Sequence, residues 1–354
     1  MTAPVLSVII PTHNRRCLLQ EMLMSLQRQT FPADQFEVVV VDDGSTDGTV
    51  EMARKMNTTY SLRVLPQEQS GPSRARNSGA RIASGKLLLF LDDDLLPKNQ
   101  ILSAHAQVLE RDPGNVVLGR LLPWGSGPRG GWNRWEERVY EKHYKAVQDN
   151  RRPPSGRRLY SGNFSIWREQ FLNAGGFDET LSRGEDVELG FRLERSGCHF
   201  HFCVDAAAFH RGYRTYESWC RSAYLYGRSD VQLAVQRGYR QVLDEIFGWY
   251  DRKPQVIRLV IKTALAGGKP VQQFLLQSFR LSSAIFDQLG FEEFSHYSYS
   301  AIFNLHYWQG VADELGGRSD FQRYAHAHSG HRAGVTSQGG KRSLLRKQKR
   351  EADG

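Results

Sequence analysis

Between Val5 and about Leu118 short aliphatic runs alternate with helical spacings, and this alternation leaves few folds open to the chain. Val5–Ile10, Val38–Val41, Leu62–Leu65, Leu87–Leu91 and Val116–Leu118 read as strands, being near-continuous β-branched or aliphatic stretches without a polar face. Leu18–Gln29, Thr46–Asn57 and Ser73–Ser84 read as the helices between them. Strands that are apolar on both faces need cover on both, so the pattern predicts an α/β fold, a mostly parallel sheet flanked by helices. In open sheets of this kind ligands bind beyond the carboxyl ends of the strands. Polar residues collect there at Thr12–Arg15, Asp42–Asp47 and Asp92–Asp94.

The second half reads differently. Residues 119–160, with PWGSGPRGGWNRW, suggest a long, partly ordered excursion over the ligand edge. Residues 161–215 read as strand, helix, strand, and 216 to about 323 as amphipathic helices forming a C-terminal helical appendage. The last residues are polar and basic, a composition expected to stay flexible. They also carry most of the charge. Seven basic against two acidic residues in 331–354 put +5 of the formal +9 there, leaving a mildly basic body and making a nucleic-acid partner unlikely. Cys17, Cys198, Cys203 and Cys220 form no CxxC pair, which fits reduced thiols and a cytoplasmic location. The apolar run at the start ends at Pro11, too early for a signal peptide, and no stretch approaches the roughly 20 apolar residues of a membrane span.

LFLDDDLLP ends an apolar strand in three aspartates, Asp92, Asp93 and Asp94. Carboxylates so placed repel one another unless a cation sits among them, and a hard divalent ion is the simplest remedy. A solvated turn or helix cap would account for the same residues equally well. Three further motifs accompany it in order: LSVIIPTHNR, VVVVDDGSTDGT with GPSRARNSGARIASGK following, and GGFDETLSRGEDVELGFRL.

In these motifs the chain resembles the family 2 glycosyltransferases over about residues 4–215. The resemblance implies a GT-A fold, Rossmann-like, with residues 1–215 as the catalytic domain: 1–118 the nucleotide-binding half and 119–215 the acceptor half. Residues 216–327 would be the helical C-terminal region and 328–354 the flexible basic tail. It implies a nucleotide-sugar donor, UDP-linked being commonest, and Mn²⁺ or Mg²⁺ as cofactor. Pro11 and His13 would line the nucleotide site, and Asp43 would accept a hydrogen bond from the base, as an acceptor-only group can. Arg76 would approach the nucleotide; Asp92 and Asp93 would face its ribose or base side. Asp94 would bind the metal, with His210 a candidate further ligand. Asp186 would be the general base, taking the proton of an acceptor hydroxyl in an inverting displacement. Glu185 or Glu188, and Asp42 beside Asp43, are the expected structural carboxylates.

Other readings are weaker. CHFHFC places His199, His201 and Cys203 on one strand face, but a structural zinc site recruits ligands from two separated pairs, so a packed strand is expected instead. No GxGxxG follows Val5–Ile10, which argues against a dinucleotide oxidoreductase. A catalytically inactive nucleotide-sugar-binding protein, and a nucleic-acid-binding protein acting through the basic tail, are the alternatives. QxxRW, usual in processive synthases of the family, is missing, so addition of one or a few sugars is expected. The acceptor could be a glycan, a lipid-linked sugar or a small molecule. Arg258, Lys262, Lys269 and Arg280 among aliphatic residues suggest peripheral contact with a membrane.

Overall fold

The computed structural model describes residues 4–125, 130–212 and 214–327. The tail, 328–354, lies outside the described residues. The chain divides into two compact units: residues 1–129 with 136–213, and residues 130–135 with 214–354.

The first unit holds one eight-stranded sheet: β1 (Leu6–Thr12), β2 (Phe36–Asp43), β3 (Ser61–Gln67), β4 (Leu87–Leu91), β5 (Leu95–Pro97), β6 (Asn115–Pro123), β7 (Asn163–Trp167) and β8 (His199–His210). Their order is β3-β2-β1-β4-β7-β6-β8-β5. The first four run parallel, β7 is antiparallel to β4 and to β6, and β8 is parallel to β6. Every residue of β1, β2 and β4 is buried, as uninterrupted Val, Ile and Leu demand. Helices α1 (Arg16–Leu26), α2 (Thr49–Lys55), α3 (Pro72–Ile82) and α4 (Ile101–Arg111) lie in the first part of this unit, and α6 (Arg168–Asn173) and α7 (Glu185–Arg195) in its second part. Two apolar layers result. Leu19, Met22 and Leu23 of α1 pack with Leu6, Val8 and Ile10, whereas Ala75 and Ala80 of α3 pack with Ile9 and Val41.

Phe90 anchors the second layer. It stacks on Phe164 at 4.7 Å and meets Phe171 at 4.9 Å and Phe177 at 5.7 Å. Such pairs each contribute about 0.5–1.5 kcal/mol beyond the area they bury. Because Phe177 belongs to the GGFDE segment, this cluster ties the loop before α7 to the centre of the sheet.

The expected excursion over 119–160 is in part regular. Helix α5 (Gly131–Gln148) occupies 18 of those residues. The Gly- and Pro-rich string masked a helical spacing in which Trp135, Tyr144 and Val147 are buried. The CHFHFC stretch is a strand: Phe200 and Phe202 pack on the second apolar layer, and His199 and His201 are exposed.

The second unit is helical, comprising α8 (Tyr216–Val235), α9 (Gln241–Asp251), α10 (Gln255–Gln288) and α11 (Glu292–Leu315), with the first residues of α5. Trp219 and Trp308 are its fully buried anchors. Helix α10 breaks at Gly268, where φ is 64°, just before Pro270, which cannot donate to the helical ladder. Among the described residues, no helix is long and apolar enough to cross a membrane.

Helix α7 owes its position to a backbone contact. A Cβ on Gly190 would fall 2.1 Å from the Gly156 carbonyl oxygen, in the short 3-10 turn Gly156–Arg158. Gly156 N–H also donates to Glu194 at 2.7 Å. Neither backbone can yield as a flexible side chain would. Gly190→Ala is expected to cost about 1–3 kcal/mol, lowering the thermal midpoint by about 2–4 °C per kcal/mol. A calorimetric midpoint equal to wild type would show that this contact does not fix α7.

Candidate active site

The carboxyl ends of β1, β2 and β4 converge on one edge, and their loops are laced together by polar contacts. Asn14, in the left-handed region at φ 51°, accepts the Thr46 N–H at 2.8 Å, and its own N–H donates to Ser45 Oγ at 2.8 Å. His13 Nδ1 donates to the Asp43 carbonyl at 2.8 Å. Asp42 accepts the Ser45 N–H at 3.0 Å, a turn-capping bond. The Asp43 carboxylate accepts from Gln67 at 2.7 Å and from the Ser70 and Gly71 N–H groups at 2.8 Å each. It therefore shapes the loop after β3, with Oδ2 taking one of those bonds and keeping acceptor capacity. Pro11 is buried in β1, in register with Val41.

Of the three aspartates after β4, one turns to Arg76 and two share Arg15. Asp92 accepts Arg76 Nη2 at 2.7 Å. Asp93, nearly buried, accepts Thr12 Oγ1 at 2.7 Å and Arg15 Nη1 at 2.8 Å. Burial pushes its carboxyl up to about 6, with Arg15 and Thr12 pulling the other way. Asp94, 8% exposed, accepts the same Arg15 nitrogen on Oδ2 at 2.9 Å. Its Oδ1 is buried without a hydrogen-bond partner and lies 3.7 Å from His210 Nε2. The short β5 makes this meeting possible, because Leu95 pairs with His210 and the Arg211 N–H donates to the Asp94 carbonyl at 2.9 Å. One carboxylate oxygen and one imidazole nitrogen, otherwise unspent, suit a divalent cation such as Mn²⁺. Among the described residues, no group of three or more His, Cys, Asp or Glu forms a cage, so such an ion would need further oxygen ligands from outside the protein.

Arg76 is the hinge of the site. It is buried on α3, its guanidinium lies 5.5 Å over the Phe177 ring, and Nη1 sits 3.8 Å from Glu185. Burial opposes its charge, but Asp92 and Glu185 outweigh that and keep it protonated. Arg76 Nε and Nη1 have no hydrogen-bond partner among the described residues. The neighbouring Asn77 accepts the Phe177 N–H at 2.8 Å and donates to the Phe177 carbonyl and to Glu179, both at 2.9 Å. Together the two residues bind the GGFDE loop to the donor-side edge.

Asp186 opens α7 after Gly184, whose φ of 78° makes the turn. Burial and the adjacent Glu185 push its carboxyl up to about 7; the Val187 N–H, donating at 2.8 Å, and Arg76 oppose the shift. A proton affinity near neutrality is what a general base at physiological pH requires. Glu188 has a structural duty, pairing with Arg192 at 2.6 Å while Arg192 also donates to the carbonyls of Ala174 and Gly176.

Thus Asp92, Asp93 and Asp94 cluster with Arg76 and His210, His13 contacts Asp43, and Asp186 joins them through Glu185 and Arg76. Sequence reasoning placed Thr12 and Arg15 at the ligand edge without a role and gave none to Asn77. Their signals were present in PTHNR and ARNSG, but their partners lie far along the chain.

Residues 7–173 match the family model described as Glycosyl transferase family 2. The chain is 38% identical over 225 residues to validoxylamine A glucosyltransferase of Streptomyces hygroscopicus subsp. jinggangensis, covering 55% of this chain and 52% of that protein. It spans about half the length of the curated relatives it matches first. Among solved structures, the mannosyltransferase PcManGT from Pyrobaculum calidifontis, in complex with GDP-Man and Mn²⁺, superposes with a TM-score of 0.57 at 19% identity, over 87% of this chain and 88% of that one. S. aureus TarS 1–349 in complex with UDP-GlcNAc gives 0.50 at 20% identity, over 86% and 90%. These likenesses concern the fold. Residues 7–173, which carry most of the ordered motifs, thus match a family 2 glycosyltransferase domain, and the architecture is that of the GT-A fold.

Proposed function

We propose that the protein transfers a sugar from a nucleotide-sugar donor, UDP-linked in the first instance, to an acceptor hydroxyl. The transfer inverts the anomeric carbon, adds one or a few sugars, and serves glycan, polysaccharide or glycolipid assembly. One observation carries the reading. Buried Arg76 joins Asp92 on the donor edge to the Glu185–Asp186 pair, so a cation-ready carboxylate cluster and a base of raised proton affinity form one unit. The nucleotide-sugar complexes of the structural neighbours support the donor class, and the Mn²⁺ of one supports the cofactor.

In this reading His13 and Asp43 hold the base, with Asp43 accepting its N–H on the oxygen that keeps spare capacity. Asp92 and Asp93 face the ribose side. Asp94 and His210 hold Mn²⁺ or Mg²⁺, whose chemistry is to neutralise charge on the departing nucleoside diphosphate. Arg76 adds a fixed positive charge at the same edge, preorganised by Asp92 and by the ring of Phe177. Asp186 takes the acceptor's proton as its oxygen attacks from the face opposite the leaving group. A single displacement assisted by one base inverts configuration.

The second unit supports peripheral membrane contact for a lipid-linked acceptor. On α10, Val256, Leu259, Phe274 and Leu281 are 63–70% exposed. Phe274, Leu281 and Ile285 recur at helical spacing on one face. Arg258, Lys262, Lys269 and Arg280 flank them, and the helix's single carboxylate, Asp287, is tied to Ser295 and Tyr299 of α11. An apolar face flanked by cations fits an anionic lipid surface.

Asp186→Asn should keep donor binding in isothermal titration yet lose transfer by about 10²–10⁴-fold. In the wild type, kcat/KM should rise with pH through about 7 as Asp186 loses its proton. Stability runs the opposite way. The folded carboxyl holds its proton from the ordinary carboxylate range up to about 7, where the unfolded chain has lost it, so stability falls across that window. The Asn variant should therefore be relatively more stable at pH 8 than at pH 4, and a pH-independent difference would remove the raised proton affinity from the account. Asp94→Ala should abolish the Mn²⁺-dependent part of UDP-sugar binding, whereas binding that responds to Mn²⁺ as in wild type would displace the cation from this residue. On a sucrose gradient the protein should float with anionic liposomes at low salt; recovery at the bottom would exclude the membrane role.

A further inference from the structure

Arg15 spends one nitrogen on two carboxylates. Its Nη1 is 2.8 Å from Asp93 Oδ1 and 2.9 Å from Asp94 Oδ2, and no other cationic side chain reaches this pair among the described residues except His210. The two carboxylates are nearly buried, but the Arg15 side chain is 46% exposed and stands one residue before α1, outside the core layers. It can therefore leave the pair without opening a cavity. Asp94 Oδ1, buried and unpartnered, points toward His210 on the far side of the same carboxylate. A cation taken up there would share one carboxylate with the guanidinium, within a few ångströms of a like charge, and the two would compete for it.

We propose that Arg15 is a displaceable counter-cation. Without ligand it neutralises Asp93 and Asp94 and keeps divalent-cation affinity low. A nucleoside diphosphate arriving at this edge offers the guanidinium a more highly charged partner that its planar fork can bind bidentately, Arg15 moves onto it, and Asp94 is released to the metal. Cation and nucleotide binding are thereby coupled, each favouring the other by the same factor. The inference rests on the proposed assignment of Asp94 and His210 as the cation's ligands.

The test is a titration of Mn²⁺ into the full chain, wild type and Arg15→Gln, with and without UDP. Wild type should bind Mn²⁺ weakly alone and more tightly with UDP. Arg15→Gln should bind Mn²⁺ alone about tenfold more tightly, with most of the gain from UDP lost. Its thermal midpoint should drop in EDTA and recover with Mn²⁺, the ion replacing the missing charge. Arg15→Lys keeps the charge on a compact, strongly hydrated head that bridges two carboxylates less well, so its Mn²⁺ affinity should fall between the other two. It carries the comparison if the Gln variant does not fold. Mn²⁺ affinities equal to wild type in both variants, or an undiminished UDP effect, would overturn the role of Arg15 and leave the cation assignment standing. Failure of wild type and variants to bind Mn²⁺ even with UDP would sink both.

Discussion

Three consecutive carboxylates at the end of a buried strand are the constraint from which the rest of the site follows. Left alone, the three would repel one another, and the fold answers with two arginines from different elements, Arg15 on Asp93 and Asp94 and Arg76 on Asp92. Arg15, ahead of α1, is about half exposed; Arg76, on α3, is buried and clamped. The first is suited to give way to a metal ion. The second is suited to stay and to present a fixed charge.

Arg76 also explains why the two halves of the sequence form one site. The antiparallel pairing of β7 with β4 brings residues 163–167 back beside the first parallel strands, and the Phe90–Phe164–Phe177 cluster locks the GGFDE loop against β4. Arg76 lies over Phe177, bonds Asp92 and approaches Glu185, so the position of the Glu185–Asp186 pair depends on the packing of an aromatic core. The raised proton affinity of Asp186 has the same origin, in burial at a helix start beside a second carboxylate that a single guanidinium only partly offsets.

The parallel strands β1, β2 and β4 were legible because each holds an apolar run that gives way to Thr or Asp at its carboxyl end, and local composition suffices to mark that. The aspartates and Asp186 were legible as motifs. What escaped was non-local or disguised. Strand β5 has three residues and exists through its pairing with β8, more than a hundred residues away. Helix α5 hid behind a Gly-, Pro- and Trp-rich string that favours a loop locally, and only burial of Trp135, Tyr144 and Val147 reveals its face. Arg15 read only as one of the polar residues at the ligand edge, without a role, since its partners lie 78 and 79 positions further on. Asn77 reads as a helix residue until the GGFDE loop, a hundred positions away, folds onto it.

The central claim is that this edge holds a divalent cation between Asp94 and His210 while a nucleoside diphosphate lies across it. Anomalous diffraction from crystals grown with MnCl₂ and UDP tests it directly. The account predicts a manganese peak bonded to Asp94 Oδ1 and His210 Nε2, with diphosphate oxygens completing its coordination and Arg15 turned away from Asp94. UDP bound at this edge with no manganese peak beside Asp94 would contradict it.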